Sequence, residues 1–71
     1  MKIEWETGDI RGGRIVGKSG REERWLIMYM GGGLYGLASL VDGSVAYQNS
    51  APDQIAEVLN KNGDIPVEWI T

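Results

Sequence analysis

GGRIVGKS (12–19) is the stretch on which the fold turns. It satisfies every fixed position of G-x-x-x-x-G-K-[ST], the phosphate loop of nucleotide hydrolases. That loop works as a joint between a strand and a helix, because the helix N-terminus and a nest of backbone N–H groups hold the phosphates. Here the chain continues SGREERWLIMYMGGG (19–33). Gly20 interrupts the first turn that such a helix needs, and WLIMYM (25–30) is apolar on both faces with no helical period. Arg14, Ile15 and Val16 are strand formers where the loop would have to curl. A nucleotide fold of this kind also needs several βαβ units, more than 71 residues with one helix can supply. The stretch is therefore read as part of a Gly-rich hairpin, with no nucleotide or other cofactor expected. ASLVD (38–42) imitates an acidic strand end that helps hold magnesium, but a turn at Asp42-Gly43 explains it more simply.

Outward from that hairpin, glycine clusters separate apolar runs. KIEWE (2–6) alternates, with Ile3 and Trp5 on one face, and predicts a half-buried strand. GRIVGK (13–18) predicts a short strand and SGREE (19–23) a polar turn. RWLIMYM (24–30) predicts the central strand, GGG (31–33) a hairpin turn and LYGLASLV (34–41) its antiparallel return. Asp42-Gly43 turns the chain again into SVAYQ (44–48). That makes a meander of about five strands.

One helix is expected at about 51–61. Ser50 is placed as N-cap with Asp53 three residues on, and Pro52 is tolerated in the first turn. Ile55, Val58 and Leu59 form a one-sided stripe, and Gly63 stands at the C-cap. IPVEWI (65–70) predicts a last strand, with Ile65, Val67 and Trp69 facing one way and Pro66 keeping it at an edge. The fold class is α+β, an antiparallel sheet covered by one helix. The sheet is either curved into a partly closed barrel or flatter, with the helix lying across it.

The chain contains neither Cys nor His. That excludes disulfides, thiolate nucleophiles and most zinc sites, and removes the usual general base. The serines have no His partner and no Lys sits in an apolar setting, so an enzyme is not expected. A single small domain spanning 1–71 is expected. The longest apolar run is too short for a membrane helix, so a cytoplasmic location away from membranes is expected.

Charge is uneven. Arg11, Arg14, Lys18, Arg21 and Arg24 lie in one stretch, whereas the rest of the chain is acidic and the net charge is −3. A basic hairpin over 11–24 could contact phosphates, and Tyr29, Tyr35 or Trp25 could supply a stacking surface. Tyr35 and Tyr47, near turn-rich edges, are the aromatic binding candidates. The net charge argues against general nucleic-acid affinity. The alternative is a solvated hairpin whose charges keep an edge strand soluble. Alternation in GRIVGK sets Arg14 and Val16 on one face and Ile15 on the other. Burial of Ile15 is expected, with Arg14 and Lys18 projecting to solvent. Trp5 and Trp69 are expected in the core.

With the meander, the capped helix SAPDQIAEVLNKNG (50–63) and the closing IPVEWI in place, the chain resembles small uncharacterised α+β proteins of Gram-positive bacteria, their prophages and their phages. The likeness lies in the order and spacing of a Y/W-L-I strand, an L-V-D-G hairpin and the capped helix. It implies a binding or regulatory role and carries over no functional residues. The leading expectation is a non-enzymatic module that contacts an unidentified protein partner, in the manner of a phage accessory protein. Weak single-stranded nucleic-acid binding through 11–24 is the alternative.

Overall fold

The computed structural model describes residues 4–69. Five strands form one sheet: β1 (Ile15–Gly17), β2 (Arg24–Gly31), β3 (Leu34–Ser39), β4 (Val45–Ser50) and β5 (Ile65–Pro66). Their order is β4-β3-β2-β1-β5, and each neighbouring pair is antiparallel. One helix, α1 (Pro52–Asn62), joins β4 to β5. The α+β class, the antiparallel sheet, the helix and the closing strand are all present. The sheet is open rather than barrel-like, with β4 and β5 at its edges.

GGRIVGKS runs as a turn at Gly12-Gly13, the strand β1, and a second turn at Ser19-Gly20 that leads into β2. No helix follows Lys18, so the phosphate-loop geometry is absent from this stretch. β2 returns into β3 through Gly32-Gly33, with Gly31 paired to Leu34. Both turn glycines have positive φ, 61° and 76°. A two-residue hairpin whose twist matches its strands requires that, and glycine meets it without Cβ strain.

The register sorts the side chains into two faces. Val16, Trp25 and Ser39 lie across from one another, as do Ile27, Leu37 and Ala46. These face α1, where Val16, Ile27 and Leu37 join Ile55, Ala56 and Leu59 in the core. Full burial of each larger apolar side chain contributes about 1.5–3 kcal/mol. Trp5 and Ile10 complete this layer from the N-terminal segment.

The differences from expectation have local causes. Glu4 to Glu6 are not a strand, and Lys2 and Ile3 lie outside the described residues. The Trp5 backbone pairs instead with a side chain: its N–H donates to Asn60 Oδ1 (2.6 Å), and its C=O accepts from Asn60 Nδ2 (3.0 Å). One amide thus takes the place of a neighbouring strand. β3 stops at Ser39: the Leu40 N–H still reaches the Arg24 carbonyl of β2, but beyond it side chains take the N–H groups of the turn. Ser39 Oγ accepts from the Val41 N–H, and Asp42 Oδ1 accepts from the Ser44 N–H. Leu40 and Val41 are left exposed in the loop.

Ser50 remains in β4, and Ala51 is the N-cap of α1. Its N–H donates to Gln54 Oε1 (3.1 Å), so Gln54 performs half of the capping exchange expected of Ser50 and Asp53. Gly63 caps the C-terminus as predicted, left-handed at φ 79°. The last strand shortens to Ile65–Pro66, because Val67–Trp69 coil into a 3₁₀ turn. Ile70 lies outside the described residues. Trp69 is 39% exposed rather than core, although it stacks on Trp5.

Candidate functional site

The five basic candidates do not form one cationic surface. On β1 the buried face is the Val16 face, and Ile15 is 38% exposed, the reverse of the expected burial. Arg14 shares the Val16 face, and its side chain is only 10% exposed. Its Nη1 donates to the Asp9 carbonyl (2.8 Å), while Nε and Nη2 both donate to Glu68 Oε1 (3.0 and 2.8 Å). Its guanidinium carbon lies 5.4 Å from the Trp5 ring centroid and 5.6 Å from that of Trp69. The two rings are themselves 6.1 Å apart, so the three groups form a triangle. Arg14 therefore joins the N-terminal segment, β1 and the C-terminal turn, where solvent projection was expected. The sequence signals for this were weak: the partners are some fifty residues apart or are a backbone carbonyl.

Arg24 is partly committed as well. Its Nη1 donates to the carbonyls of Glu23 (2.9 Å) and Arg21, closing the β1–β2 turn. Arg11, Lys18 and Arg21 are exposed. Of the aromatic candidates, Tyr35 packs against the core and meets Tyr29 edge-on at 5.3 Å. Tyr47 is half exposed on edge strand β4. The structure thus separates the two aromatic candidates and divides the basic set.

A surface that was not singled out from the sequence lies on the side of the sheet facing away from α1. Ile15 pairs with Leu26, Leu26 with Ala38, and Ala38 with Val45, giving an apolar row across four strands. Met28 and Met30 extend it along β2. Ile15, Met30 and Val45 count among the exposed large hydrophobics. The helix and the N-terminal segment occupy the other face; no described helix packs over this one, and the β4 bulge reaches it at the Met30 end. The signal was present in WLIMYM, apolar on both faces, but a run of that kind reads equally as a doubly covered strand.

Among the described residues, no group of three or more acidic residues is arranged to hold a metal ion. No described helix is long and apolar enough to cross a membrane. No protein family, curated protein or solved structure matches the chain.

Proposed function

We propose that the protein is a non-enzymatic binding module that docks a protein partner on the uncovered face of its sheet. The observation that carries this is the row Ile15, Leu26, Ala38 and Val45. The row is exposed at its ends, Ile15 and Val45, and half-buried at Leu26 and Ala38, and apolar surface left open in this way is a feature of interaction sites. The described concavities lie elsewhere, lined by residues of the helix side and of the β4 edge. A flat apolar face suits a protein surface better than a small molecule.

Charge sets the partner's chemistry. Arg24 alternates onto this face at one end of the row. The complementary surface is apolar with acidic side chains at its rim. Such a rim speeds association more than it tightens the complex. Nucleic acid is less well supported, because Arg14 is committed to Glu68 and the other basic candidates are divided between the two sides of the sheet. A role as an accessory protein modulating a host protein agrees with this reading.

The test places a photo-crosslinking residue at Ala38, and separately at Glu57 on the helix side, in cells expressing the chain. An adduct with one acidic protein from Ala38, lost on Val45→Glu and absent from Glu57, is the expected result. Adducts only with a second copy, adducts from Glu57 instead, or binding to anionic lipid vesicles without a protein adduct would each overturn the proposal.

A further inference from the structure

The helix side of the sheet holds a second feature that the docking face does not use. A cleft of about 320 Å³ opens where α1 ends. That is at the small end of the range for ligand sites, roughly 300–1,000 Å³. Trp25, Leu37 and Ala46 line it with apolar surface from the inner face of the sheet. Lys18 and Arg21 enter from the β1–β2 turn, with Glu23 beside them, and Asp64 enters from the segment after the helix.

Two observations mark this cleft as more than a gap in packing. First, Asp64 is fixed by its backbone while its carboxylate is left open. Its N–H donates to the Leu59 carbonyl (3.1 Å), and its own carbonyl accepts from Trp5 Nε1 (2.6 Å). Its carboxylate makes no hydrogen bond or ion pair with any described residue. Desolvation by burial raises its pKa, opposed by the charge of Lys18 and reinforced by that of Glu23. A carboxylate fixed by its backbone and open to the cleft is placed to accept a charged donor from a ligand. Second, Tyr47 at the cleft wall has φ 54°, the left-handed region. For a residue with a Cβ that conformation costs about 1–2 kcal/mol. Two extra residues of β4 bulge here, since Tyr35 pairs with Ser50 but Leu37 with Ala46. Strain of this kind persists where the position of a side chain matters.

The lining is apolar in its floor and carries two cations and two carboxylates at its rim. A nucleotide would set its phosphates against Glu23 and Asp64. An organic cation would meet Lys18 and Arg21 with nothing to offer them. A ligand with one ammonium, one carboxylate and an apolar body uses all four rim charges. We infer that the cleft binds a free α-amino acid with an apolar or aromatic side chain. The ammonium is received by Asp64 with Glu23 behind it, the carboxylate by Lys18 and Arg21, and the side chain by Trp25 and Leu37. This site lies on the opposite side of the sheet from the docking face and stands whether or not that face binds a protein.

The experiment is a titration of the intact chain with L-phenylalanine, followed by backbone amide NMR shifts. N-acetyl-L-phenylalanine, which lacks the ammonium, and L-phenylalanine amide, which lacks the carboxylate, serve as comparators. Saturable shifts are expected in residues 18–25, 46–47 and 62–64, with both comparators bound about ten-fold more weakly, as loss of one charged hydrogen bond implies. Asp64→Asn keeps both backbone bonds and removes a desolvated charge, so it should fold. It should weaken phenylalanine about ten-fold and leave N-acetyl-phenylalanine unchanged. The double variant Lys18→Gln/Arg21→Gln should weaken phenylalanine and leave its amide unchanged. Equal binding of all three compounds, tighter binding of adenosine monophosphate or of arginine amide, or no saturable shift in those residues would overturn the inference.

Discussion

Arg14 shows how one side chain can change roles between sequence and structure. Its guanidinium bonds a partly buried carbonyl, shares Glu68 Oε1 between two donors and lies against two indole rings. Glu68 is 59% exposed, so the ion pair itself contributes little. The carbonyl bond and the ring contacts carry most of the effect, and Arg14→Gln should cost about 1–2 kcal/mol in urea unfolding. Lys18→Gln should stay within about 0.5 kcal/mol, as an exposed substitution does. An unchanged midpoint for Arg14→Gln would mean that the triangle with Trp5 and Trp69 adds nothing. Asp64 gives a second prediction at this scale. Its folded pKa is raised above the unfolded value by burial. Between those two values the folded state holds the proton longer, so stability falls as pH rises through that interval. Asp64→Asn should therefore unfold at higher urea than the parent at neutral pH, and the difference should vanish once Asp64 is protonated in both states. Asp42 has the opposite sign: hydrogen bonds from Ser44 lower its pKa, and its contribution is lost as pH falls through the folded value.

The elements depend on a few contacts between distant parts of the chain. Leu59 is fully buried under the sheet, and Leu59→Ala should cost about 2–4 kcal/mol in denaturant unfolding. A loss below about 0.5 kcal/mol would show that the apolar stripe of α1 is not seated on Ile27 and Leu37. Asn60 is on the same helix but serves the N-terminal segment, through its two bonds to the Trp5 backbone. Asn60→Ala leaves that N–H and C=O without partners, at a cost of about 1–3 kcal/mol. Hydrogen exchange should localise the effect: the Trp5 amide should lose protection while the amides of β2 keep theirs. Equal loss across the sheet would mean that Asn60 supports the whole fold rather than this one junction. At the β4 edge, Met30 Sδ accepts weakly from the Asn49 N–H (3.4 Å), so the bulge of β4 folds back over the end of β2. An irregular edge of this kind resists pairing with another strand, which matters in a sheet with two free edges.

At the scale of the whole molecule there are two layers: a helix on one side of a sheet and, on the other, no described helix, with the β4 bulge reaching over one end. Cα extents of 33 × 27 × 18 Å fit that arrangement. A domain this small buries a limited share of its surface, so leaving an apolar row uncovered gives up stability that a second helix would supply. Val45→Glu on the outer face should therefore change unfolding free energy by less than about 1 kcal/mol, because that side chain is already 38% exposed. The same variant should abolish a partner complex, whereas Arg24→Gln should slow its formation chiefly at low salt. Unfolding of the Val45→Glu protein in buffer would place the row in the core of the isolated chain.

The order of elements was legible in the sequence, because turn chemistry and periodicity are local properties. Gly32-Gly33 turns the β2–β3 hairpin, Ile55 and Leu59 form one stripe, and Gly63 ends the helix wherever these residues occur. The phosphate-loop reading of GGRIVGKS could be set aside on the same local grounds, since Gly20 and the run after it do not make a helix. What the sequence left open was which face of each strand meets the core. In GRIVGK both faces offer an apolar residue, and alternation alone does not choose between Ile15 and Val16. The choice came from partners elsewhere in the chain: Trp5, Glu68 and Trp69 cover Arg14, and with it Val16 turns inward. The Asn60 clamp on Trp5 and the meeting of Lys18, Trp25, Tyr47 and Asp64 around one cleft have the same origin. Each joins residues far apart in sequence, and such pairings are fixed only when the layers pack.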